Sequence, residues 1–284
     1  VSANDRRRVL HWRDGWSAGP DAIAIEEPVE IEVDGVVVST TMRTPGNDIE
    51  LALGWLVSEG AIASVDAVVD VRECFESAQG EELDADALGV GYDPVGDVRR
   101  IVKVRTASGA GVAPRLHATT SACGICGTDV IAATMANRPW DLKADDSVIA
   151  PDLLAQLPGR LRAAQRGFDS SGGLHAAGLF TLDGALVCLR EDVGRHNAVD
   201  KVVGWAVGQG QLPLRAHVLQ VSGRASAELV HKALMAGIPV LAAVSAPTTL
   251  AVDLARAGDL TLAGFVRDAT LNIYACGSRV GAPD

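Results

Sequence analysis

Beyond residue 150 the chain alternates amphipathic runs with short apolar ones, and this rhythm restricts the fold more than any other feature. Helical spacing over 152–165 leads into an apolar strand at 176–181, and Asp183-Gly184 turns it into a second strand at 186–189. A helix from about Asn197 to Val207 carries Val199, Val202, Val203 and Ala206 on one side. Strand 218–221, helix 225–236, strand 240–244, a helix after Thr248 and a last strand at 260–266 complete the half. Strands that alternate with helices predict an α/β sheet covered on both faces.

The first half has a different pattern. Val29, Ile31 and Val33 alternate at the strand period, and Asp34-Gly35 before Val36-Val37-Val38 predicts a hairpin. Asn47 with Glu50 three residues on forms a capping-box signature for a helix with Ile49, Leu53 and Leu56 on one face and Gly60 as its stop. Residues 79–97, rich in Gly, Asp and Glu, read as a loop, and 100–104 returns to strand. No internal repeat is visible. A chain of 284 residues is long for one core, so two domains are expected: a smaller α+β unit at 1–140 and an α/β unit at 141–284.

Charge narrows the function. There are 25 basic against 36 acidic side chains, a formal net charge of −11. Such a field repels long polyanions, so no DNA or RNA partner is expected, whereas a few local arginines and backbone amides suffice for one nucleotide. Arg6, Arg7 and Arg8 are followed by the polar stretch 11–17, unlike a signal peptide. The uncharged run 233–252 has the length of a membrane span, but Gly237, Pro239, Ser245, Pro247, Thr248 and Thr249 divide it. It reads as helix end, buried strand and new helix start in a protein with no membrane role.

Ligands of such sheets gather where strands end and helices begin, because free amides and the helix dipole favour anions there. Three turns put an arginine at such a place: Glu191 to Asn197 with Arg195, Ser222 to Ser226 with Arg224, and Phe265 to Asp268 with Arg267. Together they point to an anionic ligand.

The five cysteines are an odd set with one close pair, Cys123-Gly124-Ile125-Cys126, a poor disulfide framework that suits a reducing cytoplasm. Glycine flanks and a helix expected near Thr128 favour the thiolate. Four uses stay open: a zinc site (lacking a second ligand pair, with His117 as one possible helper), thioredoxin-like disulfide exchange, inert packing, and carriage of a persulfide.

Several segments together resemble the FdhD family of formate dehydrogenase accessory sulfurtransferases: 43–48 (RTPGND), 120–127 (TSACGICG), 172–177 (GGLHAA), 191–201 (EDVGRHNAVDK) and 222–224 (SGR). The resemblance runs from about Glu26 to Ala275. It implies that Cys123 carries the persulfide with Cys126 assisting. Sulfur would come from a cysteine desulfurase and pass to the molybdenum bis(guanine dinucleotide) cofactor before that enters apo formate dehydrogenase. Phe265, Val266, Arg267, Asp268, Ala269 and Thr270 match the family's cofactor-binding stretch.

The resemblance also implies a cytidine-deaminase-like, three-layer α/β/α second domain and a homodimer. The deaminase zinc set is absent, since His196-Asn197-Ala198 lacks the glutamate and Ser222-Gly223-Arg224-Ala225-Ser226 lacks cysteine, so no metal of its own is expected. The vacated pocket would take a guanine nucleotide: His196 and Asn197 on the base or phosphates, Arg195, Arg224 and Arg267 on phosphates, Ser222 and Gly223 beside them. Asp192 is expected to accept from Arg195 or the ligand, and His175 to be a hydrogen-bonded core residue. The alternatives are a non-catalytic cofactor chaperone and a thiol–disulfide oxidoreductase.

Overall fold

The computed structural model describes residues 3–77, 79–83, 98–107, 109 and 127–281. Strands β1 (Asn4–Trp12) and β2 (Trp16–Ala24) pair only with each other; β3 (Glu27–Val33) and β4 (Val36–Arg43) follow. Helix α1 (Asp48–Ser58), β5 (Val68–Ser77), the short β6 (Glu82–Leu83), β7 (Val98–Thr106) and α2 (Gly127–Asn137) complete the first half. The second half runs α3 (Pro151–Ala164), α4 (Arg166–Ser171), β8 (His175–Thr181), β9 (Leu186–Asp192) and α5 (Arg195–Gly208). It ends with β10 (His217–Val221), α6 (Ala227–Met235), β11 (Val240–Ala243), α7 (Thr249–Ala257), β12 (Thr261–Arg267) and β13 (Thr270–Ala275).

The fold is mixed α/β with several sheets. One sheet has the order β4-β3-β7-β5-β6 and another β13-β12-β11-β10-β8-β9, in which β10, β11 and β12 run parallel and β8 and β13 antiparallel to them. Alternation along the six-stranded sheet divides its faces. Leu219, Val221, Leu241 and Ala243 pack towards α5, α6 and α7, while Val218, Val240, Ala242 and Ala263 pack under Leu154, Leu157 and Leu161 of α3. Burial on both faces is why these strands read as continuous apolar runs. The run 233–252 is the end of α6, all of β11 and the start of α7, and among the described residues no helix is long and apolar enough to cross a membrane.

The Asp34-Gly35 hairpin forms as read, with φ of +50° and +85° at its two turn residues. The capping box does not. Asn47 sits in the left-handed region and caps nothing with its side chain, because Glu50 is held elsewhere, receiving the Arg190 guanidinium at 2.5 and 2.6 Å. Helix α1 crosses α5 at two glycines: a Cβ on Gly54 would overlap the Asp200 carbonyl, and one on Gly204 would overlap the Glu50 carbonyl. The halves therefore meet backbone to backbone, and one hydrophobic cluster runs through both. The sequence reading missed β1, β2, β5 and α4, and β12 is followed by β13 rather than being the last strand. Of the loop read at 79–97, Glu82–Leu83 pairs with β5, and 84–97 lies outside the described residues.

Candidate functional site

Strand directions bring the singled-out turns to one end of the six-stranded sheet. His175 opens β8 opposite Asp192, the last residue of β9; Ser222 follows β10, Ser245 lies just beyond β11, and Arg267 closes β12. Between this end and α3–α4 lies a cleft of about 590 Å³. Its apolar walls include Leu161, Phe168, Leu174 and Val244, and its polar groups include Arg162, His175, Ser222, Arg267 and Asp268. The Arg162 guanidinium lies 4.6 Å from the Phe168 ring centre and donates to Asp169 at 2.6 Å. An apolar slot edged by guanidinium groups suits a planar base with an attached phosphate.

The cleft end is shaped by backbone as much as by side chains. Phe265 has φ of +52°, interrupts the β12–β13 register, donates its N–H to the Ser245 carbonyl at 3.2 Å and is 36% exposed. A bulky residue in that region is held there by its surroundings, a common property of binding sites. Val266 is fully buried in the core below, whereas Arg267, Asp268, Ala269 and Thr270 form the exposed hairpin tip. Ser222 accepts from the Ala176 N–H at 2.9 Å and lies 3.5 Å from His175 Nδ1. His175 is half-buried on the cleft wall rather than in the core. Burial and the Arg195 charge hold its pKa below the ordinary value against the pull of Asp192.

Arg195, His196 and Asn197 begin α5 behind this wall, and none of them lines the cleft. The Arg195 Nε is buried and makes no hydrogen bond among the described residues. His196 Nε2 turns to the start of α6, 3.4 Å from Ser226 Oγ and 3.3 Å from a Glu228 carboxylate oxygen. Burial takes its pKa down to about 4, helped by Arg195, Lys232 and His175 and opposed by Glu228. The Asn197 amide donates to the Met42 carbonyl at 2.8 Å and to Asp192 at 3.1 Å. Gly223 backs onto the His175 ring, and Arg224 is exposed on the loop before α6.

Asp192 does not accept from Arg195; its partners lie inside the fold. It is fully buried, accepts from the Thr44 and Gly194 N–H groups at 3.1 and 2.8 Å, and pairs with Lys201 at 2.7 Å. Lys201 also donates to the Thr44 carbonyl at 2.8 Å, so the motifs at 43–48 and 191–201 are two sides of one buried junction.

Helix α2 lies on the opposite face of the sheet from the cleft. Thr134 meets His231 of α6 at 2.9 Å, Trp140 just beyond α2 donates to the Met235 carbonyl at 3.1 Å, and Arg138 donates to the Gly258 carbonyl after α7 at 3.2 Å. The three helices thus end together and run parallel. Gly127 lies seven residues before Thr134 in α2 and Ala227 four residues before His231 in α6, so at helical rise α2 reaches about 4.5 Å further than α6 at this end.

A family model described as the FdhD/NarQ family matches residues 24–281. The chain belongs to the FdhD/NarQ family. Sulfur carrier protein FdhD of Streptomyces avermitilis is 50% identical over 283 residues, 97% of this chain and 95% of the relative. The protein of that name from Mycobacterium tuberculosis is 46% identical over 285 residues, 98% of this chain and 99% of the relative. A crystal structure described as a formate dehydrogenase accessory protein from Desulfotalea psychrophila superposes with a TM-score of 0.72 at 20% identity, over 98% of this chain and 100% of that one. At that identity the likeness is one of fold.

Within the family frame, the site residues singled out in the sequence divide four ways. Ser222, Arg267 and Asp268 line the cleft; Arg195, His196, Asn197, Gly223, Arg224, Phe265, Ala269 and Thr270 lie near the same sheet end without lining it; and Val266 is buried in the core. Cys123 and Cys126 lie outside the described residues, immediately before α2. Arg162 and Phe168 were missed: Arg162 is on the polar side of α3, and Phe168 belongs to α4, a short polar segment whose apolar side only the fold reveals. Among the described residues no cluster of three or more His, Cys, Asp or Glu side chains could hold a metal.

Proposed function

We propose that the chain is a sulfurtransferase that carries a persulfide on Cys123, with Cys126 assisting, and serves formate dehydrogenase. Curated relatives across nearly the whole chain bear the name sulfur carrier protein, and this is the observation that carries the reading. The geometry is compatible with it. In the sequence Cys126 is the residue before α2 and Cys123 lies four residues before it, and a helix start favours thiolate over thiol. In the proposed first step the Cys123 thiolate attacks the outer sulfur of a desulfurase persulfide. That S–S bond breaks, the donor leaves as a thiolate, and Cys123 becomes the persulfide.

The proposed cargo is the molybdenum bis(guanine dinucleotide) cofactor, with one guanosine phosphate moiety in the cleft. Phe168 would face the base, and Arg267, Arg162 and the nearby Arg195 and Arg224 would offset the phosphate charge. The deaminase-like ancestry of the second domain, the division at 140/141, and action in the cytoplasm belong to the same proposal. Isothermal titration with guanosine diphosphate tests the cargo: binding should weaken about tenfold in Arg267→Ala, and an unchanged affinity would remove the nucleotide from this cleft. Cys123→Ala should abolish maturation of a co-expressed formate dehydrogenase, and full activity would refute sulfur carriage.

A further inference from the structure

Glu191 opens the 191–201 motif, yet it belongs neither to the buried junction nor to the cleft lining. It stands beside Asp192 in β9, but strand alternation sends the two side chains to opposite faces of the sheet. Asp192 turns to Lys201 and Thr44. Glu191, in register with Ala176, turns to the face that carries α3 and α4. There its carboxylate accepts from two successive backbone groups, one oxygen taking the Gly167 N–H and the other the Phe168 N–H, each at 2.8 Å.

Helix α4 is poorly secured by its own sequence. It is six residues long, none of them fully buried, and the preceding Gln165 gives no side-chain cap. So short a helix is unfavourable to nucleate, and its first N–H groups have no partners within it. Glu191 supplies a charged acceptor for two of them from a different strand. The approach is close. A Cβ on Gly167 would stand 2.7 Å from Leu174 Cδ1 and 3.0 Å from Glu191 Oε2, so glycine at 167 is what lets the carboxylate reach the backbone.

What α4 carries is the outer wall of the cleft. Phe168 lines it, the Arg162 guanidinium lies 4.6 Å from the centre of that ring, and Arg162 donates to Asp169 at 2.6 Å. The two side chains of this ion pair are 50% and 57% exposed, and a pair so open to water contributes too little to fix the helix alone. The ring and the guanidinium therefore share one firm anchor, Glu191.

We propose that Glu191 is a positioning residue for the nucleotide: its carboxylate fixes the start of α4, so that Phe168 and, stacked on it, Arg162 stand ready for base and phosphate. The role rests on the cargo reading above and extends it to a residue outside the cleft lining. A wall ordered in advance leaves less conformational freedom to be lost on binding.

Calorimetric titration of the full chain with guanosine diphosphate tests this. Glu191→Gln keeps the shape but leaves one oxygen to serve two N–H groups, and binding should weaken about tenfold. Phe168→Ala should weaken it to a similar degree, and the double variant should stay within about twofold of Phe168→Ala, because the two residues act as a unit. Arg267→Ala, which sits on the hairpin tip and not on α4, should add its full loss to that of Glu191→Gln. Without nucleotide, amides at 166–171 should exchange faster in Glu191→Gln while the thermal midpoint stays within about 3 °C, the mark of a local opening. Should that variant not fold, Gly167→Ala, which sets a methyl group against Leu174 and the carboxylate, should reproduce the loss from the helix side. Additive losses in the Glu191–Phe168 pair, an unchanged affinity or unchanged exchange at α4 would overturn the proposal while leaving the cargo reading in place. A native chain that leaves guanosine diphosphate unbound would overturn the cargo reading, and this role with it.

Discussion

The decisive individual residues are buried ions whose partners are far away in sequence. Asp192 has no exposed surface and satisfies three N–H groups besides Lys201. Asp192→Asn should cost about 3 to 5 kcal/mol in chemical denaturation, since it leaves Lys201 charged and buried without its counter-ion. A loss below about 1 kcal/mol would show that the junction is hydrated. His196 makes a second, pH-dependent prediction. Its folded pKa of about 4 lies below the unfolded value, so between them the unfolded chain binds the extra proton. Its stabilising effect is complete above about pH 6.5 and is lost as the pH falls towards about 4. The thermal midpoint should drop over that range by the equivalent of about 2 kcal/mol more in the native chain than in His196→Gln; parallel curves would contradict this. His175, whose pKa is also lowered, acts in the same direction.

At the scale of elements, the α1–α5 crossing joins the halves. Gly204→Ala places a methyl group against the Glu50 carbonyl with no flexible side chain to yield, and should destabilise by about 3 kcal/mol or more. Equilibrium denaturation near the native value would mean that the helices separate freely. The same crossing shows what the sequence could disclose. Strands buried on both faces announced themselves as apolar runs, and Asp34-Gly35 fixed a hairpin through local chemistry alone. The Asn47–Glu50 pair had the right spacing for a cap, but a long-range contact to Arg190 took the glutamate. Likewise 43–48 and 191–201 were visible as motifs, yet their purpose, a shared buried junction, depends on residues about 150 positions apart meeting. Arg162 and Phe168 carried no local signal, because a cleft wall is defined by what faces it.

At the scale of the whole molecule, the sheet separates two surfaces: the cleft with α3 and α4 on one side, and α2, α6 and α7 on the other. The central claim is that Cys123 holds the sulfur. Intact mass of the protein after incubation with a cysteine desulfurase and cysteine tests it most directly. The account predicts a gain of a single sulfur atom that disappears in Cys123→Ala and persists in Cys74→Ala; no gain in the native chain, or a gain that survives Cys123→Ala, would contradict it.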